Sequence, residues 1–243
     1  MRHVLKHILI AATALFSPLA AQALETTGAN LDLSYGAFTE ETDVSKLTLK
    51  GSAEVGFAPQ FAVQADIATN AFGFTDIDGQ NYALHAIFHA SEDVSLGGFV
   101  GREDVESDDW TYAGLEIGQD FGRFNYEANF TNGDSDGIEV NNIGIRGGYA
   151  INGFTRIGAR LDHVDVDFDA NGVNFDLGDA TRFGLTAEYT PTQGLMTYGE
   201  LGTLDIDGLG SETYVKIGAR VTFGALRGAT FEQRGLQDLF PGL

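Results

Sequence analysis

The chain has 243 residues, no cysteine, 32 glycines, 4 prolines and a formal charge of −21. A disulfide framework and thiolate chemistry are excluded, and a charge of this sign argues against nucleic-acid binding. The Gly- and Phe-rich, Pro-poor mix suits β-structure with close backbone contacts and not a disordered acidic tail.

The chain opens on a secretory pattern. Arg2, His3, Lys6 and His7 form a basic start, Ile8 to Phe16 an apolar stretch, and Ala21-Gln22-Ala23 an A-x-A cleavage site. The stretch is too short to cross a bilayer as a helix, and no later segment approaches ~18 consecutive apolar residues. Residues 1–23 are therefore expected to be a signal peptide, with the mature chain starting near Leu24.

Twelve candidate strands follow, at 30–38, 46–57, 61–70, 81–90, 94–103, 110–118, 121–131, 140–151, 154–168, 182–190, 195–204 and 213–223. Most exceed the ~5–6 residues of a typical soluble strand and match the ~9–11 of a tilted membrane strand. Period-two alternation carries the assignment. Phe61, Val63, Ala65 and Ile67 alternate with Gln64 and Asp66, and Phe124, Tyr126, Ala128 and Phe130 with Asn125, Glu127 and Asn129. Ile157, Ala159 and Leu161 alternate with Arg156, Arg160 and Asp162, and Val215, Ile217, Ala219, Val221 and Phe223 with Lys216, Gly218, Arg220 and Thr222. Strand 94–103 breaks the pattern: Phe99 competes with Val94, Leu96 and Val100, which suggests a bulge. Asp165-x-Asp167-x-Asp169 alternates with Val166 and Phe168, as a strand projecting beyond a membrane would.

The connectors alternate in length. Short ones are Ala58-Pro59-Gln60, Ser91-Glu92-Asp93, Gln119-Asp120, Asn152-Gly153 and Pro191-Thr192-Gln193-Gly194. Longer ones are expected at 39–45, 71–80, 104–109, 132–139, 169–181 and 205–212. Alternate connectors of an up-and-down barrel emerge on the same side, and membrane barrels pair short turns with longer outer loops. Aromatics gather at strand ends: Phe57, Phe61, Phe121, Tyr149, Phe154, Tyr189 and Phe223 on the turn side, and Phe72, Phe74, Tyr82, Trp110, Phe130, Phe168, Phe183 and Tyr214 on the loop side. These are the positions of two interfacial girdles. Twelve strands also enclose more space than an eight-stranded barrel, whose interior side chains just fill. Ala- and Gly-rich apolar faces lack the bulk to fill it, so those faces go to lipid and the polar faces to a lumen.

On these features the chain resembles the outer-membrane β-barrel proteins of Gram-negative bacteria, porin-like channels in particular, over 24–223. Lys216-x-Gly218-x-x-Val221-x-Phe223 is similar to the signal by which barrel assembly machinery recognises a last strand. The resemblance implies a transmembrane antiparallel up-and-down barrel among outer-membrane lipids, with no cofactor, no metal and no catalytic residue. Family members usually end at the terminal aromatic. Here 224–243 follow, expected to be a periplasmic tail or a plug folded back into the pore.

The six longer connectors hold eighteen Asp and Glu and no Lys or Arg. The charged pore lining is expected to comprise Lys50, Glu54, Asp66, Glu116, Arg123, Glu127, Arg146, Arg156, Arg160, Arg182, Glu188, Lys216 and Arg220. Arg146, Arg156, Arg160 and Arg182 lie on three consecutive strands, with Arg123 on the strand before, whereas Glu54, Asp66 and Glu116 lie on others. Opposed basic and acidic walls would set a transverse field across the pore. Two other readings stay open: the charges pair with one another and simply satisfy the lumen, or the arginines form a ladder for carboxylates.

Asp76-Ile77-Asp78-Gly79, Asp134-Ser135-Asp136-Gly137 and Asp205-Ile206-Asp207-Gly208 lack the full calcium-loop pattern and read as solvated turns, with divalent bridging to lipid headgroups as the alternative. His85 and His89, ~13 Å apart along one strand, are too distant to share a metal. His163 has no serine near it in sequence for lipid hydrolysis. The expected function is passive diffusion of small hydrophilic solutes and ions, with acidic mouths favouring cations. The alternatives are a non-conducting structural or surface-interaction barrel and a lipid-modifying outer-membrane enzyme. The solute and the oligomeric state are not legible.

Overall fold

A computed structural model describes residues 25–73, 78–106, 108–170, 173–224 and 229–240. The expected signal peptide, Phe74, Asp76 and Ile77 lie outside them. Twelve strands run in chain order: β1 (Glu25–Phe38), β2 (Ser45–Ala58), β3 (Phe61–Phe72), β4 (Asp78–His89), β5 (Val94–Val105), β6 (Asp108–Phe121), β7 (Phe124–Ser135), β8 (Ile138–Ala150), β9 (Thr155–Ala170), β10 (Val173–Thr192), β11 (Leu195–Ile206) and β12 (Gly210–Phe223). Each pairs antiparallel with its neighbours in sequence. β12 returns to β1, with Ala29 opposite Phe223 and Phe38 opposite Tyr214. Closure leaves no edge strand with unpaired backbone groups, as a non-aqueous solvent requires.

The alternation read from the sequence sorts the side chains. On β12, Val215, Ile217, Val221 and Phe223 are exposed outward, while Tyr214 is fully buried inside. Leu31 and Leu33 on β1, Leu84 on β4, Leu115 on β6, Ile143 and Ile145 on β8, Leu185 on β10 and Leu201 on β11 are likewise exposed. An apolar belt running round the whole circumference is far larger than the patches a water-soluble monomer shows, and lipid is the medium that fits it. At the turn end the belt finishes in a chain of rings. Phe57 stacks on Phe61 at 6.1 Å and Phe61 meets Phe88 at 5.2 Å. Phe121 stacks on Phe124 at 5.7 Å, and Phe124 meets Tyr149 at 4.7 Å. The opposite girdle is thinner than expected. Tyr82, Phe130, Phe168 and Phe183 face outward, but Phe72 and Tyr214 are buried inside and Trp110 packs partly buried against the interior cluster.

Two further expectations are corrected. Among the described residues five of the six acidic connectors are mostly strand, whereas 39–45 is a loop up to Ser45. β5 and β6 stay paired out to Asp104 opposite Asp109, β7 and β8 to Asp134 opposite Glu139, and β11 and β12 to Asp205 opposite Ser211. The unequal spacing in the sequence thus comes from hairpins that project on one side. Carboxylates do not stop a ladder whose backbone bonds continue beyond the apolar zone. β5 has no bulge: it pairs in unbroken register with β4 and β6. Phe99 simply points inward, its ring 5.5 Å from that of His85 and 6.2 Å from that of Tyr112.

Ile217 stands at mid-strand on the outer face, 59% exposed. Ile217→Arg should cost about 2–4 kcal/mol in a bilayer. Urea unfolding in lipid vesicles, followed by the fluorescence of the single tryptophan, Trp110, measures it; an unchanged midpoint contradicts the outward assignment.

Candidate pore and the segment inside it

The inner face is built from the polar half of each alternation, and register places opposite charges side by side. Asp32 lies across from both Arg220 and Lys50. Glu127 faces Arg146, Arg156 faces Glu188, and Glu200 faces Lys216. Several of these contacts are close. Arg220 Nε lies 2.9 Å from Asp32 Oδ2, and Arg182 Nη2 lies 2.6 Å from Glu200 Oε1. Arg160 Nε binds Asp162 at 2.8 Å, while Arg156 and Glu188 are 3.7 Å apart.

The pairing leaves two imbalances. Asp66, Glu103 and Glu116 stand on β3, β5 and β6, with His85 between Asp66 and Glu116, and Glu127 follows on β7. The His85 Nε2 is 2.8 Å from Asp66 Oδ2 and its Nδ1 is 2.6 Å from Glu116 Oε1. Elsewhere on the wall, Lys50, Lys216 and Arg220 outnumber the Asp32 and Glu200 that face them.

The described residues beyond β12 fill this gap. Residues 229–240 lie inside the barrel. Arg234 binds Glu116 at 2.8 Å and also pairs with Glu127. Glu232 is held by Nη1 and Nη2 of Arg220, the latter at 2.8 Å, with Arg146 at 3.7 Å. Asp238 sits 2.6 Å from Lys50 and 3.8 Å from Lys216. A cation thus meets the acidic wall, and two carboxylates meet the basic wall. Such charge-assisted contacts are short and strong, and they offset the desolvation that burying charge incurs.

Apolar contacts fix both ends of the segment. Phe231 packs with Ala62 and Ile87, near the short-turn ends of β3 and β4. Leu236 and Leu239 join Phe38, Val140, Val164, Ala180, Leu204 and Tyr214, all near the projecting-hairpin end. Residues 229–240 therefore cross the lumen from the turn end toward the hairpin end. A cavity of about 390 Å³ remains beside them. Its walls carry Arg146, Arg156, Arg160, Glu188, Lys216 and Arg220, and it extends to Glu92, Asp93 and Asp120 at the short turns.

Of the residues expected to line the pore, Lys50, Glu127, Arg146, Arg156, Arg160, Glu188, Lys216 and Arg220 border this cavity. Glu54, Asp66, Glu116 and Arg182 point inward but are covered. Arg123 does not stand on the wall. Gly122, at φ 68°, turns the chain between β6 and β7, so Arg123 is an exposed rim residue donating to the Ile151 carbonyl at 3.5 Å. Within the last-strand signal, Lys216 is inward and Val221 and Phe223 outward. Gly218 gives room to the Tyr198 ring, which a Cβ there would strike. His163 is exposed at 2.9 Å from Thr181 Oγ1 and 3.4 Å from Asp165, with no serine among those contacts. No group of three or more metal-ligating side chains occurs among the described residues. Sequence reasoning missed Lys46 and Glu103, which sit at strand ends, and the contacts of residues 229–240.

No protein-family model and no curated protein matches the sequence. Solved structures do. The chain is similar to a KdgM porin in complex with disordered oligogalacturonate: TM-score 0.61, 12% identity, 80% of this chain and 99% of that one covered. The fold is that of an outer-membrane porin. A NanC porin gives a TM-score of 0.60 at 13% identity over 79% of this chain and 98% of that one. The COG4313 outer membrane channel from Pseudomonas putida F1 gives 0.61 at 11% identity over 85% and 99%. At these identities the likeness is one of architecture.

Arg234 is the shared cation of two carboxylates and only 4% exposed. Arg234→Ala should lower stability by about 3 kcal/mol, because Glu116 and Glu127 are left facing each other's charge in a covered site. The double variant with Glu116→Gln should recover part of that loss. Urea midpoints of the three proteins check it; a double variant no better than the single one contradicts the pairing.

Proposed function

We propose that the protein is an outer-membrane, porin-like channel for passive diffusion of small hydrophilic solutes and ions, not an enzyme, and that residues 229–240 act as its internal constriction. The observation that supports this most is the division of faces. A closed barrel is apolar outside and charged within, and a polar cavity runs beside the segment that occupies its lumen. Passive transport of this kind needs no catalytic group; bore and charge set what passes.

The cavity lining carries nine acids against six bases, and Glu92, Asp93 and Asp120 stand where it meets the short turns. We take this to favour cations. The basic residues of the wall are engaged by Asp162, Glu188, Glu200 and the internal segment, which supports the reading that they satisfy the lumen over a free ladder for carboxylates. The secretory pattern read in the sequence at 1–23 and the last-strand pattern of Lys216, Gly218, Val221 and Phe223 support delivery to the outer membrane by barrel assembly machinery. Outer-membrane lipids would then contact the apolar belt.

Planar-bilayer recording tests the proposal. The full chain should give small, ohmic steps, and in a salt gradient the reversal potential should shift toward that of the cation. Arg234→Glu, which sets a third carboxylate against Glu116 and Glu127, should raise the step size several-fold by expelling the segment. Anion-directed reversal overturns the selectivity. Silence from both proteins overturns the channel and favours a non-conducting structural barrel.

A further inference from the structure

We propose that the lumen is a peptide-binding site, selective for a short segment that ends in a turn, with residues 229–240 as its resident ligand. The contacts on the segment's main chain carry the inference. A plug held only by bulk or by side-chain charge would leave its backbone to water. Here the wall addresses the peptide groups one by one. Gln64 makes a reciprocal pair with Phe231, its Nε2 donating to the carbonyl at 2.8 Å and its Oε1 accepting the amide at 3.1 Å. That is the donor and acceptor pattern of a neighbouring β-strand supplied by one side chain. Asn81 and Tyr112 both donate to the Arg234 carbonyl, at 2.9 and 2.8 Å. Glu103 accepts the Gln237 amide at 3.0 Å. Lys46 donates to the carbonyls of Gln237 and, at 2.5 Å, Phe240, and Arg182 donates to that of Asp238 at 2.7 Å. All six of these side chains are buried, and a buried polar group without its partner is costly, so the wall is built around a peptide backbone.

Main-chain bonds alone would accept any sequence. The anchors supply selectivity. Phe231 enters the pocket at Ala62 and Ile87, its ring 6.5 Å from that of His85. Arg234 enters the acidic site, and Leu236 and Leu239 the apolar end. The ligand class is therefore a peptide with an aromatic residue, an arginine three positions on, and leucines five and eight positions on that bracket a turn, Leu239 N–H donating to the Leu236 carbonyl at 3.1 Å. This reading shares a lumen with the proposed channel but does not require conductance, because binding itself is the readout.

The test uses the full chain with a protease site introduced between Gly224 and Ala229, folded before cleavage, and a fluorescent synthetic peptide of residues 229–240. Anisotropy should show saturable, one-to-one uptake by the cleaved barrel and none by the uncut one, with mass spectrometry detecting the displaced segment. Peptides carrying Arg234→Glu or Phe231→Ala should bind at least about tenfold more weakly, a difference of 1.4 kcal/mol. The uncut Arg234→Glu chain, its own segment expelled, should take up the native peptide without cleavage. Uptake in neither preparation overturns the proposal, as does a scrambled peptide that binds as tightly as the native one.

Discussion

A charged face can be carried through lipid only if it is enclosed and neutralised. Each strand here brings such a face, and the rest of the structure follows from where those charges find partners. Closure of β12 on β1 turns the polar half of every alternation inward. Register then sets the first level of neutralisation, with Asp32 between Lys50 and Arg220, and Glu127 beside Arg146. The second level cannot come from the wall, because acids collect on β3 and β5 to β7 while cations collect on β2, β8 and β12. Residues 229–240 cross that gap with Glu232, Arg234 and Asp238 in the matching order.

This arrangement ties stability to permeability. Arg234 is exposed to only 4%, and Glu116 not at all. If the segment leaves, water and mobile ions must replace its contacts, and the lumen widens by the volume of a dozen residues. The filled state is favoured by every ion pair and peptide contact made; the empty state gains the segment's conformational freedom. Both the proposed constriction and the proposed peptide site express that one balance.

Much of the fold was legible in the sequence. Alternation is set by backbone geometry, so the twelve strands and the faces of most of them could be read from residues such as Ile157, Arg156 and Arg160. Asp165-x-Asp167-x-Asp169 showed in advance that β9 continues past the apolar zone. The same logic, applied to the other acidic connectors, would have lengthened β6, β7 and β12. Composition misleads there, because carboxylates suggest a loop while the backbone ladder continues beneath them. Arg123 falls off the wall because Gly122, which fits a strand pattern in sequence, makes the turn at positive φ. Phe99 looked like a register fault because an aromatic was assumed to belong to lipid, whereas Tyr112 and His85 receive it inside. The segment after Phe223 shows no period, and its partners are spread over strands from β2 to β12. Only closure of the barrel brings them together, which is why its charges carried no message in one dimension.

The central claim is that residues 229–240 lie bonded within the lumen, and hydrogen exchange tests it most directly. With the folded barrel in lipid or detergent, peptides covering these residues should retain the amide hydrogens of Thr230, Phe231 and Gln237, whose acceptors are Glu54, Gln64 and Glu103. Their protection should approach that of β12 and vanish on unfolding. Exchange of those amides at the rate of an unstructured peptide, in a barrel whose strands remain protected, would contradict the account.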